Sequence, residues 1–203
     1  MLSFWDIFCI TKFNFWMNPI LFRFLIASVV LFGLAVRPSM AELTEDQVKS
    51  AYVFNFIKFV EWPSGVGEND KVTLCVVGSN VLGGALTALD GRKAGGRELH
   101  ITQYSYGTFL EGHPNSDGEF GRCHVVFIGE SEQRHFVAII KALDDAPVLT
   151  ISDIDNFAEK GGGIGLLYHE SKIVFEVNLA SVQRSKLRLP GQLLNLSSYV
   201  FGR

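Results

Sequence analysis

Three hydrophobic patterns follow one another along this chain. From Ile20 to Val36 the residues are almost wholly apolar, broken by Arg23 and a few small side chains. From Thr44 to about Val60 apolar residues recur at helical spacing. At 100° per residue Val48, Tyr52, Val53, Phe56, Ile57, Phe59 and Val60 form one broad arc, with Ser50, Asn55, Lys58 and Glu61 opposite. Thr44 and Gln47 have capping-box spacing, Glu45 and Asp46 fall where the helix dipole favours negative charge, and Trp62-Pro63 stops the helix. Phe54 is the misfit, since it lies within the polar arc. It is either tucked under a neighbouring loop or an exposed contact for another molecule.

Beyond residue 71 the period changes. Val72 to Val77, ending at Gly78, is a nearly continuous β-rich run, as expected of a central parallel strand covered on both faces. Cys123 to Ile128 and Val148 to Ile151 repeat that signature. Between them the pattern predicts a helix from Ser79 or Asn80 through Leu89, a glycine-rich basic turn over Gly91 to Arg97, a strand near Leu99 to Tyr104, and a loop over Gly107 to Gly121. A helix beginning at Ser131 puts Phe136, Ile139, Ile140 and Leu143 on one face. Asp153 to Glu159 reads as a short helix and Gly161 to Gly163 as a turn. Ile164 to Tyr168 and Ile173 to Val177 form a hairpin across His169 to Lys172, and helical stretches near Leu179 to Ser185 and Leu193 to Val200 close the chain. The fold class is therefore α/β: a three-layer sandwich with a mostly parallel central sheet and an antiparallel C-terminal hairpin edge.

The amino-terminal segment changes the picture of where this fold operates. Arg37-Pro38-Ser39-Met40-Ala41 follows the apolar stretch with small residues at Ser39 and Ala41, the pattern of a signal peptide cleaved after Ala41. An uncleaved anchor is the alternative, although about 17 apolar residues are near the lower limit for a span. Met1 to Trp16 lacks a basic n-region, so Met17 is a second candidate start. Residues 1–41 are read as signal peptide and 42–203 as one periplasmic domain. Lys12, Arg23, Arg37 and Asp6 leave with the signal, so the exported chain holds 15 basic and 20 acidic residues among 162, a net charge of −5 against −3 for the whole. No lysine and arginine block offers a nucleic acid a footprint. Cys9 also leaves. Cys75 and Cys123 remain, the arithmetic of one disulfide in an oxidising compartment; two buried free thiols are the alternative.

The candidate chemistry is sparse. His100, His113, His124, His135 and His169 have neither zinc-site spacing nor a cysteine pair nearby, so no metal is expected. Gly78 to Gly84 follows a strand but lacks the Lys-Ser or Lys-Thr of a phosphate loop. There is no Gly-x-Ser-x-Gly elbow, and Asp144, Asp145, Asp153 and Asp155 fall at expected helix ends, where capping and solvation account for them. The inventory points away from an enzyme and from any cofactor.

Five motifs, in this order, resemble the YfiR-type family: Tyr52 to Pro63, Cys123 to Ile128, Pro147 to Asp153, Phe157 to Gly162 and Phe175 to Asn178. The resemblance covers essentially the whole exported chain. It implies a periplasmic dimer that restrains a YfiN-type inner-membrane diguanylate cyclase, with an outer-membrane lipoprotein able to relieve the restraint, and an output of less cyclic di-GMP and less biofilm. It also implies that Cys75 and Cys123 stand where family members carry a redox-sensitive pair, while a second pair found in some members is missing from Val148 to Gly162. Arg188 lies where the family presents a basic residue to small anionic ligands; a solvated arginine is the plainer reading. Phe54 is the candidate partner contact, and part of residues 44–60 the candidate twofold interface. The alternative function is a periplasmic small-molecule sensor with its crevice at the turns of Gly78 and Gly129.

Overall fold

In the computed structural model, which describes residues 43–64, 66, 70–112, 123–143 and 146–202, the strands join into one eight-stranded sheet. In chain order they are β1 (Lys71–Val77), β2 (Lys93–Ala94), β3 (Arg97–Tyr104), β4 (Val125–Ile128), β5 (Leu149–Ser152), β6 (Ile164–His169), β7 (Lys172–Asn178) and β8 (Tyr199–Phe201). Their order across the sheet is β2-β3-β1-β4-β5-β6-β7-β8. Pairing is parallel from β3 through β6 and again between β7 and β8, and antiparallel for β2 with β3 and β6 with β7. The helices are α1 (Glu45–Phe59), α2 (Tyr106–Glu111), α3 (Phe136–Ala142), α4 (Leu179–Arg184) and α5 (Gly191–Leu196). The fold class is the expected one, with β8 added outside the C-terminal hairpin.

Alternation along the strands divides the core into two layers. Val72, Leu74, Val76, Val125 and Phe127 face α1, α4 and α5, whereas Cys75, Val77, Val126 and Ile128 face α2 and α3. β1 and β4 are thus buried on both faces, which is why their sequences read as unbroken apolar runs. The aromatic spacing of α1 also has a structural cause. Phe56 meets Phe175 of β7 edge-on at 5.0 Å, and the Tyr52 hydroxyl donates to the Ile173 carbonyl at 3.2 Å.

The capping box of α1 forms as expected, with Gln47 N–H donating to the Thr44 hydroxyl at 3.3 Å and Thr44 N–H to the Gln47 side chain at 3.0 Å. The helix ends at Phe59. Within its expected arcs, Phe59 is exposed instead of buried, and Ser50 is buried with its hydroxyl donating to Gln47 O at 2.9 Å. The turn of the late hairpin is two residues long, Glu170 and Ser171, both at positive φ, as the twist of antiparallel strands favours. Gly162 lies against Phe157, whose ring atoms a β-carbon would overlap.

Five elements differ from expectation. The helix expected from Ser131 starts at Phe136, after a 3-10 turn over Glu130–Glu132. The helix from Ser79 or Asn80 to Leu89 is replaced by two 3-10 turns, Val81–Gly84 and Thr87–Leu89, because Asn80, Leu82, Gly83 and Gly84 take left-handed φ. Within the expected loop, α2 forms on a Ser105–Thr108 capping box. Asp153 to Glu159 makes turns instead of a helix, since Ser152 accepts the Ile154 N–H at 3.0 Å and Asn156 takes a φ of 59°. The last helix stops at Leu196 because Ser198 N–H donates to Phe175 O at 2.8 Å, which turns the chain into β8 along β7. The signal peptide, its cleavage after Ala41 and the two candidate starts lie outside the described residues. No described helix is long and apolar enough to cross a membrane.

Glu176 on β7 has its carboxyl pKa raised, first by burial and then by the like charge of Glu159. A carboxyl whose folded pKa exceeds its unfolded one favours the fold only while protonated, so stability falls as pH rises through that interval. Glu176→Gln is therefore expected to melt above the wild type at neutral pH, with the difference vanishing below the carboxylate range. A pH-independent difference in melting temperature contradicts this account.

Candidate functional site

The strand order reverses at β1, whose neighbours β3 and β4 lie on opposite sides. In such sheets the connections leave in opposite directions at the carboxyl ends of the two central strands and open a crevice between them. Here the crevice has a volume of about 550 Å³. One wall is the chain after β1, Ser79 to Gly83, and another the chain after β4, Gly129 to Ser131. The first turn of α1 and Asp153, just past β5, complete it. The two turns are closely fitted: the Ser79 N–H donates to the Ser131 hydroxyl at 3.1 Å, and a β-carbon at Gly78, where φ is +126°, would stand 2.6 Å from that oxygen.

Lys49 reaches the crevice from α1. Its Nζ donates to Glu45 Oε1 at 2.8 Å and to Asp153 Oδ2 at 3.2 Å, and the Lys49 and Asp153 side chains are only 11% and 9% exposed. Burial on its own lowers the Lys49 pKa, but the hydrogen bonds and charges of Glu45 and Asp153 outweigh it and hold the ammonium above its ordinary value. The other Asp153 oxygen, Oδ1, is buried and has no hydrogen-bond partner among the described residues. Asp153 is thus not the solvated helix-end residue expected from the sequence: no helix begins there, and its carboxylate is one half of a buried ion pair. The partners are 104 positions apart, so no local spacing announces the pair.

Cys75 and Cys123 are joined by a disulfide, with Cα atoms 5.7 Å apart. The bond ties the middle of β1 to the residue preceding the β4 entry turn, on the sheet face opposite α1. His124 follows it, and its Nδ1 accepts the Thr73 N–H at 3.0 Å, continuing the β1–β4 ladder with a side chain. Among the described residues no three His, Cys, Asp or Glu side chains stand close enough to share a metal ion. His100 lies 3.6 Å from Asp90, and His135 lies 3.0 Å from Glu132 and stacks on Tyr106. His113 is outside the described residues.

Residues 46–198 match the YfiR/HmsC-like family, DUF4154. The chain belongs to that family. Membership assigns it to a periplasmic, regulatory class, and the buried disulfide fits an oxidising compartment. Two solved structures share the fold at low identity. One is an ABC domain in complex with L-Trp from Streptococcus pneumonia, with a TM-score of 0.50 and 8% identity over 64% of this chain and 55% of that one. The other is a conserved domain protein from Vibrio cholerae O1 biovar eltor, with a TM-score of 0.51 and 11% identity over 78% of this chain and 61% of that one. This chain therefore spans between half and two thirds of their lengths.

The family motifs occupy distinct places. Phe54 packs against the α1-side core beneath the basic turn, with the Arg92 guanidinium 4.8 Å from its ring centre, and stays partly exposed. Arg188 is 85% exposed at its side chain. Its backbone pairs with Glu61, and its Nε lies 3.9 Å from the Glu61 carboxylate. Phe54, Arg188 and the disulfide are not brought together at the crevice, which is lined by other residues.

Proposed function

We propose that this protein is a periplasmic regulator that binds an inner-membrane signalling protein, a YfiN-type diguanylate cyclase, and holds it inactive, lowering cyclic di-GMP and biofilm formation. The observation that carries the reading is the family match over residues 46–198. In this reading Phe54 is a partner contact, the protein works as a homodimer, and an outer-membrane lipoprotein relieves the repression. Arg188, with its exposed guanidinium, is the proposed point of contact for a small anion. A repressor that silences its target about a hundredfold must favour the inactive state by about 2.7 kcal/mol, an ordinary coupling energy.

Deleting the gene is expected to raise cellular cyclic di-GMP, and the rise should vanish when the cognate cyclase is also deleted. Phe54→Ala should reproduce part of the rise while lowering stability by only about 1 kcal/mol, because the ring is partly exposed. Unchanged cyclic di-GMP in a deletion strain shown to express the protein beforehand removes this reading. A second reading, a periplasmic sensor of a small molecule, is favoured by one observation: the polar crevice at the strand-order reversal. The structural likeness to a domain in complex with L-Trp is at the level of fold.

A further inference from the structure

The glycine-rich basic turn over Gly91 to Arg97 has no part in the crevice or the disulfide. In the fold it carries the β2–β3 hairpin and packs on the end of α1, where a β-carbon at Gly95 would stand 3.1 Å from the Lys58 carbonyl oxygen. Lys58, Arg92 and Lys93 are exposed and Arg97 is half-buried, and none of the four has an ion pair among the described residues. Three of them rest on aromatic rings instead. Lys58 Nζ lies 5.3 Å from the centre of the Phe59 ring, the Arg92 guanidinium 4.8 Å from that of Phe54, and the Arg97 guanidinium 4.7 Å from that of Trp62. All the cation–π contacts among the described residues are therefore gathered at this end of α1.

Unpaired cations in an exported chain of net charge −5 call for an anionic partner, and shape decides which kind. Gly91 and Gly96 have open space where a β-carbon would stand, so the turn projects from the surface. The two guanidinium groups are held on separate rings, Phe54 within α1 and Trp62 beyond its end, and do not converge as a pocket for one small anion requires. A projecting cationic surface instead suits a flat anionic one. Phe59, 47% exposed beside Lys58, supplies the other half of that match, because bilayer interfaces favour aromatic rings at headgroup level flanked by lysine and arginine. Glu98, opposite Lys93 in register, and Glu61, which faces Arg188, are fewer than the cations around them. The far end of α1, about 22 Å away, has the reverse bias: Glu45, Asp46, Glu130 and Asp153 line the crevice with Lys49 as the single ammonium.

We propose that the β2–β3 turn and the last turn of α1 form a docking surface for an anionic phospholipid bilayer. Phe59 sits at headgroup level, Lys58, Arg92, Lys93 and Arg97 lie among the phosphates, and the acidic crevice is turned away from the lipid. The inference goes beyond the repressor and sensor readings and holds under either.

The test is flotation of the exported chain, disulfide intact, with vesicles of phosphatidylcholine alone and of phosphatidylcholine and phosphatidylglycerol in equal parts. At low ionic strength the protein is expected to float with the anionic vesicles only, and to be released as sodium chloride is raised. Trp62 is the sole tryptophan after Ala41, and its emission should move to shorter wavelength on the anionic vesicles. Lys58→Gln combined with Lys93→Gln should weaken binding by at least about tenfold. Lys160→Gln combined with Lys172→Gln changes the net charge equally at exposed residues outside this surface and should leave binding unchanged. Unchanged melting temperatures show that both variants are folded. Binding that is absent, equal on the two vesicles, unaccompanied by a change at Trp62, or weakened no more by the first pair than by the second overturns the proposal. Release by inorganic phosphate at an ionic strength where chloride has no effect also overturns it, in favour of a site for the free anion.

Discussion

Replacing Cys75 and Cys123 together by alanine is expected to destabilise the protein by about 4 kcal/mol. The bond closes a loop of 48 residues, and the chain-entropy relation gives that figure for a loop of this size. For a domain of this length it corresponds to a drop in melting temperature of roughly 8–16 °C. The cysteines are 0% and 4% exposed, so a reductant reaches the bond only when the β1–β4 region opens. Folded protein should therefore resist dithiothreitol at low temperature and lose the bond steeply near its melting transition. Identical melting curves for the wild type and the double alanine variant, with two free thiols titrated in unreduced periplasmic material, contradict the bonded structure.

Lys49→Met should have the second largest effect, a loss of about 3 kcal/mol. It leaves the Asp153 carboxylate buried with neither oxygen partnered, and breaking one side of a buried pair costs more than deleting both. Lys49→Met with Asp153→Leu is accordingly expected to be more stable than Lys49→Met alone. The pH dependence has a definite sign. The Lys49 pKa stands above its ordinary value of 10.5, so the ammonium contributes its full stabilisation below 10.5 and loses it as pH climbs through the raised value. The difference between wild type and Lys49→Met should thus persist from neutral pH to about 10 and shrink above it. A Lys49→Met variant that melts with the wild type shows that water reaches Asp153 and that the pair is not buried in solution.

These two pairs mark where the sequence is legible and where it is not. The capping box at Thr44, the stop at Trp62-Pro63 and the apolar runs of β1, β4 and β5 are local signals, and the fold contains each of them. Cys75 and Cys123 were visible because cysteine pairing follows from compartment and count. The Lys49–Asp153 pair has no such signal, because an ion pair carries no compositional signature and its alignment depends on a strand order that no local pattern contains. The glycine turns at Gly78 and Gly129 could be recognised as crevice walls in any sheet whose order reverses there, but the acidic character of the crevice depends on α1 lying across the ends of β1 and β4. The elements that depart from the local pattern share another cause. Left-handed residues at Asn80, Leu82 and Asn156, and backbone pairing that draws Tyr199–Phe201 onto β7, override helix propensity through contacts that a short window does not contain.

The two ends of the sheet are blunt. β2 contributes two residues and β8 three, and the exposed side of β3 is capped where the Asp90 carboxylate accepts the Ile101 N–H at 2.8 Å. Strand edges of that length and occupancy give an unfolded or neighbouring chain little backbone to pair with, so the folded protein is protected against edge-to-edge aggregation. Two copies that associate would accordingly find little strand backbone at β2 or β8 to pair through, and contact between side chains is left to hold them together.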